Sequence, residues 1–544
     1  MSLKSTSPAL SFLAVLFVAL ALSIGWGVRG NWGHEYGAMI PGALAAMAAV
    51  LVSGREDWYR RIPFFAFFGA VGWSFGGSIS YMHVIAYTHS GHALSVVYGF
   101  ACLFLIGFLW AAIGGAGTAL PAFLSRDRLT ELLIPVSTVF AAWVAQDIFF
   151  NVYFAGLRKQ VQDGIITREQ LHDQVSWINW HDTDWIAVVV AAAALLVLSA
   201  VRRRICWGTS LALHLCAGWW LGFTALTIGL GLRMTPPRGD NWAGALGMTV
   251  AMFVFLRRQR ELGVAWAALV TGLFGGLGFS GATLVKLILI HPGLQERFLG
   301  GPTTSNWHSV LEQSFGFVSG VGVGLVMGCL ASWAPKLSEL PPVRRWAEPL
   351  LVFFVMLVIT YVNIVKNIDA VWLTGENPTL QPLLWGYSSH TWFNLAYIAL
   401  AVTVAWPLWA YYYRGRHLEI LPSSSLGKGQ LFFVIFLWWI IMGNLARTVP
   451  FHEQRLITEG VIHVNACLCT LLALLLPCRD RMAGEERMAD YAALLRQAAT
   501  AAVLGTALVI LGEFGLVRAM WGDTFAGQAG LHIRFGPDAT LDKK

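Results

Sequence analysis

Fifteen apolar segments punctuate the 544 residues, near 10–29, 37–53, 62–85, 93–119, 131–154, 185–201, 209–232, 242–256, 264–290, 309–333, 347–366, 391–412, 429–447, 459–477 and 498–519. Most hold close to the roughly 20 apolar residues that cross about 30 Å of hydrocarbon. Within a bilayer every backbone N–H and C=O must find a partner inside its own segment or in a closed barrel. No run shows the alternation of a lipid-facing strand, so these segments are expected to be helices. Composition agrees: 56% of residues are hydrophobic and only 12% charged, half the charged share of a soluble domain. The expected fold class is an all-α polytopic membrane protein of about 15 transmembrane helices. The first run follows a single Lys4 and lacks a small-x-small cleavage pattern, so it reads as a retained span, not a signal peptide. Segments 37–53 and 242–256 are the shortest, about 26 and 22 Å at 1.5 Å per residue.

The basic residues test this threading. With the N-terminus inside, Arg55/Arg60/Arg61, Arg126/Arg128, Arg202/Arg203/Arg204, Arg257/Arg258/Arg260, Lys336/Arg344/Arg345, Arg414/Arg416/Lys428 and Arg479/Arg481/Arg487/Arg496 all fall on one side. With Lys4 they make up most of the 37 Lys and Arg residues, the pattern of cytoplasmic loops. The location expected is a bacterial-type inner (plasma) membrane, N-terminus cytoplasmic and C-terminus non-cytoplasmic. Orientation accounts for the net charge of +7 without nucleic acid as a partner. The seven cysteines form no Cys-x-x-Cys pattern, which leaves no thiolate metal framework.

Internal similarity organises the chain further. SIGWGVRGNW (23–32) resembles TIGLGLR (227–233) followed by GDNWAGALGM (239–248), and FGAVGWSFGGS (68–78) resembles GLFGGLGFSGA (272–282). RLTELL (128–133) and YGFACLFLIG (98–107) likewise face RWAEPL (345–350) and FGFVSGVGVG (315–324), in the same order. The expected organisation is a six-helix repeat at 1–204, a second at 205–428, a partial third of three helices at 429–519 and a polar non-cytoplasmic tail at 520–544. An even number of helices per copy makes the repeats parallel.

Polar residues concentrate toward the outer side; of the 14 histidines only His214 and His417 fall on the inner one. Arg29, Arg233 and Arg447 stand at the outer end of the first helix of each copy. A cation there suits a helix C-terminus, and a guanidinium fork also suits a carboxylate or phosphate. Asn31, Asp240 and Asn241 flank them as substrate-binding candidates or helix N-caps. Short, Gly- or Pro-marked segments at matching positions of two repeats are the best sequence pointer to a transporter site. Embedded polar candidates for coupling are Gln146, Asp147, Asn151, Asn363, Lys366, His83 and Lys286, with Asp147 and Lys366 a conceivable pair. Glu312, Asn394, Asn444, His463, Asn465 and Glu513 read singly as helix–helix contacts. His89 and His92 lack a third ligand nearby, so no metal is expected. The segment IITREQLHDQVSWI reads as a short surface helix with Thr167 as N-cap. RDRMAGEERMADYAALLRQ (479–497), with Met482, Met488, Tyr491, Leu494 and Leu495 among charges, reads as an interfacial helix.

The function expected from these features is a secondary transporter or permease for a small anionic or zwitterionic solute, its site between the repeats and open to the non-cytoplasmic face. No phosphate-binding G-x-x-x-x-G-K-[ST] loop occurs. One alternative is an integral-membrane glycosyl or acyl transferase on a lipid-linked substrate, with His34 and Glu35 as the catalytic pair; another is a structural subunit of a membrane complex. Expected partners are membrane lipids and the small-molecule or lipid-linked substrate, with a homo-oligomer left open and no cofactor.

Overall fold

The computed structural model describes residues 10–32, 37–76, 79, 81–234, 241–300, 306–337, 346–365, 384–416, 418–448, 452–477 and 489–522. Among these, each of the fifteen apolar segments contains helix, and twelve helices are long and apolar enough to cross a membrane. They are α1 (Phe12–Trp32), α5 (Ala93–Phe123), α6 (Arg126–Gln162), α8 (Trp185–Arg202), α9 (Trp207–Gly229), α11 (Leu262–Leu289), α12 (Trp307–Trp333), α13 (Ala347–Val365), α14 (Ser389–Tyr412), α15 (Ser425–Thr448), α16 (His452–Leu475) and α17 (Tyr491–Trp521). The chain is a helical membrane protein.

Three expected spans differ from the rest. α2 (Met39–Leu51) has 13 residues, all buried, and at about 20 Å is too short to span alone. Segment 62–85 is broken: α3 (Ile62–Trp73) stops after 12 residues, and helix resumes only at α4 (Met82–Tyr87). α10 (Asn241–Arg258) is continuous over 18 residues but ends in Arg257 and Arg258, which lowers its apolar character. A short surface helix, α7 (Arg168–Val175), forms where expected, and its Thr167 and Gln170 make both hydrogen bonds of a capping box. The interfacial helix expected within 479–497 takes another form at its end: Tyr491, Leu494 and Leu495 belong to the first turns of the 31-residue α17.

Six helices close on themselves. α1 packs on α2, α2 on α3, α3 on α5, α5 on α11, α11 on α12, and α12 back on α1. Glycine makes each seam possible, because without Cβ atoms the backbones approach closely. A Cβ on Gly25 would lie 2.3 Å from Pro41 Cα, on Gly42 2.4 Å from the Gly69 carbonyl, and on Gly72 2.9 Å from Gly117 Cα. On Gly107 it would lie 2.2 Å from the Gly275 carbonyl, and on Gly320 2.6 Å from Ala19 Cα. Aromatic side chains from the ring meet one another inside it. Trp26 stacks on Trp110 at 5.7 Å, lies edge-on to Trp73 and Phe315, and Phe279 contacts Trp110, Phe315 and Tyr81. Little of the apolar stretches of α6, α8, α14 and α17 is buried, as in lipid-facing helices.

Several of the expected cytoplasmic loops meet at one end of this bundle. Arg55 donates to the carbonyls of Ala334 (2.7 Å) and Pro335 (2.8 Å) past the end of α12 and pairs with Asp57. Arg61 donates to the Leu124 carbonyl (2.9 Å) and to Pro121 (3.2 Å) at the end of α5. Both arginines are buried, so beyond serving as membrane anchors they satisfy helix C-termini. Arg126 pairs with Glu348, Arg128 with Glu261 and Arg204 with Glu131, tying two more of these loops into the same layer.

Candidate functional site

The opposite end of α1 carries the densest buried polar cluster. The helix stays regular through Gly25 and Gly27 because Pro41 of α2 and Ile462 and Gln313 of α16 and α12 press on those glycines. It therefore delivers Arg29 and Asn31 into the bundle instead of to its rim. Gly30 leaves room for the Glu312 side chain, whose Cγ would be 3.1 Å from a Cβ there. Arg29 Nη1 donates to Glu312 Oε1 at 2.6 Å, and both side chains are 1% exposed. Tyr81, just past the break that follows α3, donates its hydroxyl to the same oxygen at 2.6 Å. His308 stacks on Tyr81 with Nε2 3.3 Å from that hydroxyl and 3.5 Å from Glu312 Oε1, and is 31% exposed. The second oxygen, Glu312 Oε2, is buried with no hydrogen-bond partner among the described residues. The guanidinium also lies 5.2 Å from the Trp26 ring, joining this cluster to the aromatic floor by a cation–π contact.

A second buried carboxylate lies on the other side of the α1 end. Asn31 spends both amide hydrogens, one on Asn444 Oδ1 at 3.0 Å and one on Glu459 Oε2 at 2.6 Å. Trp32 Nε1 donates to the same Asn444 oxygen at 3.2 Å, and Gln313 Nε2 reaches the Thr458 carbonyl at 3.0 Å. Two buried carboxylates thus lie on either side of the α1 end, Glu312 against Arg29 and Glu459 against Asn31. Beneath them the indole N–H groups of Trp26, Trp73 and Trp110 are buried without an acceptor among the described residues, which is uncommon for buried donors in a folded protein.

The sequence candidates distribute unevenly around this cluster. Arg29 and Asn31 form it, and the charge of half-buried Lys286 on α11 acts on His308. Arg233 does not join them. α9 ends in a π-helical turn, Phe223–Gly229, and Gly231 adopts a φ of +62°, so Arg233 follows the helix and sits 3.3 Å from His181 Nδ1. Burial, and then the charge of Arg233, hold the His181 imidazole below its usual pKa. Asn241 exchanges hydrogen bonds with Asp184 at 3.1 and 3.2 Å. His83 is exposed on α4, and Asp147 and Asn151 are exposed on α6 beside half-buried Gln146. Asp147 lies about 31 Å along α6 from Arg126. Buried Asn363 donates to the Ile359 carbonyl. His34, Glu35, Asp240, Lys366 and the Arg447 side chain lie outside the described residues, and with them the Asp147–Lys366 pairing. His89 and His92 serve turn and helix ends: His89 Nδ1 bonds the Ile85 carbonyl and His92 caps α5.

Tyr81 is the member that sequence reasoning missed, and Glu312, His308, Glu459 and Asn444 carried no signal separating them from other polar residues in apolar helices. Elsewhere, α5, α11 and α17 enclose a groove of about 540 Å³ lined by apolar side chains and Thr506, without a group for acid–base chemistry. Compared with family models, curated proteins and solved structures, the chain gives no match.

Proposed function

We propose that this protein is a secondary transporter for a small anionic or zwitterionic solute, which passes along the axis of the six-helix ring. The observation that carries the reading is the break after α3 together with the short, wholly buried α2, which bring irregular backbone and Tyr81 against a buried Arg29–Glu312 pair. Discontinuous helices inside a bundle are how transporters place polar groups at depth, because irregular backbone is tolerated there only against protein or a water-filled path. The structure is then a closed conformation, with the Trp26–Trp73–Trp110 cluster filling the axis. In an open one the unpaired indole N–H groups donate to the oxygens of the solute, and Arg29 binds its negative charge.

In the repeat organisation, α1, α2, α3 and α5 belong to the first copy and α11 and α12 to the second, which places the pathway between copies. We infer a bacterial-type inner membrane, with the Arg55/Arg61 layer cytoplasmic and the Arg29 end facing outward. Proteoliposome uptake of a panel of radiolabelled carboxylates, phosphate esters and amino acids tests the reading. Uptake of at least one solute is expected, falling about 100-fold or more in Arg29→Gln, an amount consistent with loss of a charge-assisted contact of about 3 kcal/mol. No uptake of any panel member by wild-type protein would sink it.

A further inference from the structure

We propose that the solute is an α-amino acid with an apolar side chain, its ammonium held by Glu312 and its carboxylate by the indoles of Trp26, Trp73 and Trp110. The proposal rests on the transport reading and deepens it by naming the substrate class. Two kinds of unsatisfied polar atom carry it. Glu312 Oε1 receives Arg29 and Tyr81, whereas Oε2 is buried with no hydrogen-bond partner among the described residues. An ionised carboxylate oxygen only accepts. The Nε1 atoms of Trp26, Trp73 and Trp110, each residue 0% exposed, also lack a partner among the described residues, and an indole N–H only donates. Other buried indoles share that condition, but these three form one cluster, with Trp26 5.7 Å from Trp110 and 6.4 Å from Trp73.

A solute that satisfies both sets must bring a donor and an acceptor together. Charge points the same way. The Arg29–Glu312 pair is matched one charge against one, and both side chains are 1% exposed. A net anion or net cation added beside the pair stays uncompensated in a water-poor interior, a cost that a zwitterion avoids.

The spacing sets the size of the solute. Trp26 precedes Arg29 by three residues on α1, and Phe315 follows Glu312 by three on α12. The ion pair therefore stands about 4.5 Å, less than one turn, from the aromatic rings along the helix axes. An ammonium and a carboxylate on adjoining carbons bridge that gap, as in an α-amino acid. Phe279 and Phe315, with ring centroids 5.1 Å apart, complete the aromatic walls. Such walls suit an apolar side chain, and their ring faces attract an ammonium.

Calorimetric titration of the full chain in detergent tests the assignment without requiring flux. The probes are alanine, leucine and phenylalanine, each with its carboxylate-only and amine-only analogue. At least one amino acid is expected to bind, and both of its analogues about 100-fold or more weakly, since each leaves one set of buried partners unmet. Trp110→Phe keeps a ring and removes one donor, and is expected to weaken that amino acid about 10-fold. Glu312→Gln removes the charge that attracts the ammonium, and is expected to bring the amino acid within about 10-fold of its carboxylate-only analogue. If that variant fails to assemble, the wild-type analogue series and Trp110→Phe decide. Failure of all three amino acids to bind, or a carboxylate-only analogue that binds as tightly as its amino acid, overturns the proposal. Amino-acid binding with the expected preference but without uptake into proteoliposomes leaves the site standing and removes the transporter; uptake of carboxylates alone does the reverse.

Discussion

Arg29 and Glu312 are each 1% exposed and 2.6 Å apart, so neither charge has water to fall back on. Removing one partner from such a pair costs about 3–5 kcal/mol, because the other is left uncompensated, whereas replacing both with apolar residues is often close to neutral. Arg29→Gln is therefore expected to lower the melting temperature in detergent clearly, and the double variant Arg29→Leu/Glu312→Leu to recover most of it; scanning fluorimetry measures both. A melting curve for Arg29→Gln superimposable on wild type would contradict the burial of this pair. Arg29 was legible in the sequence because a charge at the end of a long apolar run is conspicuous. Tyr81 was not, because a tyrosine near a membrane boundary is ordinary, and only the break after α3 brings its hydroxyl to Glu312.

Among the helices, local sequence was a good guide wherever the deciding forces are local. The Thr167 N-cap of α7 depends on residues three apart in the chain, and it forms as the pattern predicts. Thr167→Ala is expected to cost about 1 kcal/mol of local stability, read as faster amide exchange confined to 168–175. The Gly-x-Gly-x-Arg ends of α1 and α9 show the opposite situation. Their sequences are alike, yet α1 remains helical to Trp32 while α9 turns π-helical and ends before Arg233. Neighbouring helices press on Gly25 and Gly27, whereas a Cβ on Gly229 would meet only its own Thr224 carbonyl. Glycine at a seam and glycine on a free face should respond differently to substitution. Gly107→Val places atoms where the Gly275 carbonyl already lies and is expected to abolish the monodisperse peak in size-exclusion chromatography. Gly505→Ala, with nothing within 4 Å, is expected to be stabilising by about 0.4–1 kcal/mol.

Over the whole molecule, a buried ring of six helices is surrounded by helices whose faces remain open to lipid. Nitroxides at Ala46→Cys, which is 0% exposed, and Val503→Cys, which is 73% exposed, are expected to report low and high oxygen accessibility respectively by electron paramagnetic resonance in liposomes. Equal accessibility would refute the division. Hydropathy alone established that the chain is a helical membrane protein, because paying for unpaired backbone groups in hydrocarbon leaves few alternatives. Several of the basic segments expected on one side meet around Arg55, Arg61 and Arg126. What tertiary structure decided is which helices lie inside, where a span breaks, and which of the similar Arg29 and Arg233 becomes a buried partner of a carboxylate. Those outcomes depend on contacts between residues as far apart in the chain as Arg29 and Glu312, and side chains that meet only after packing leave no periodic trace in the sequence.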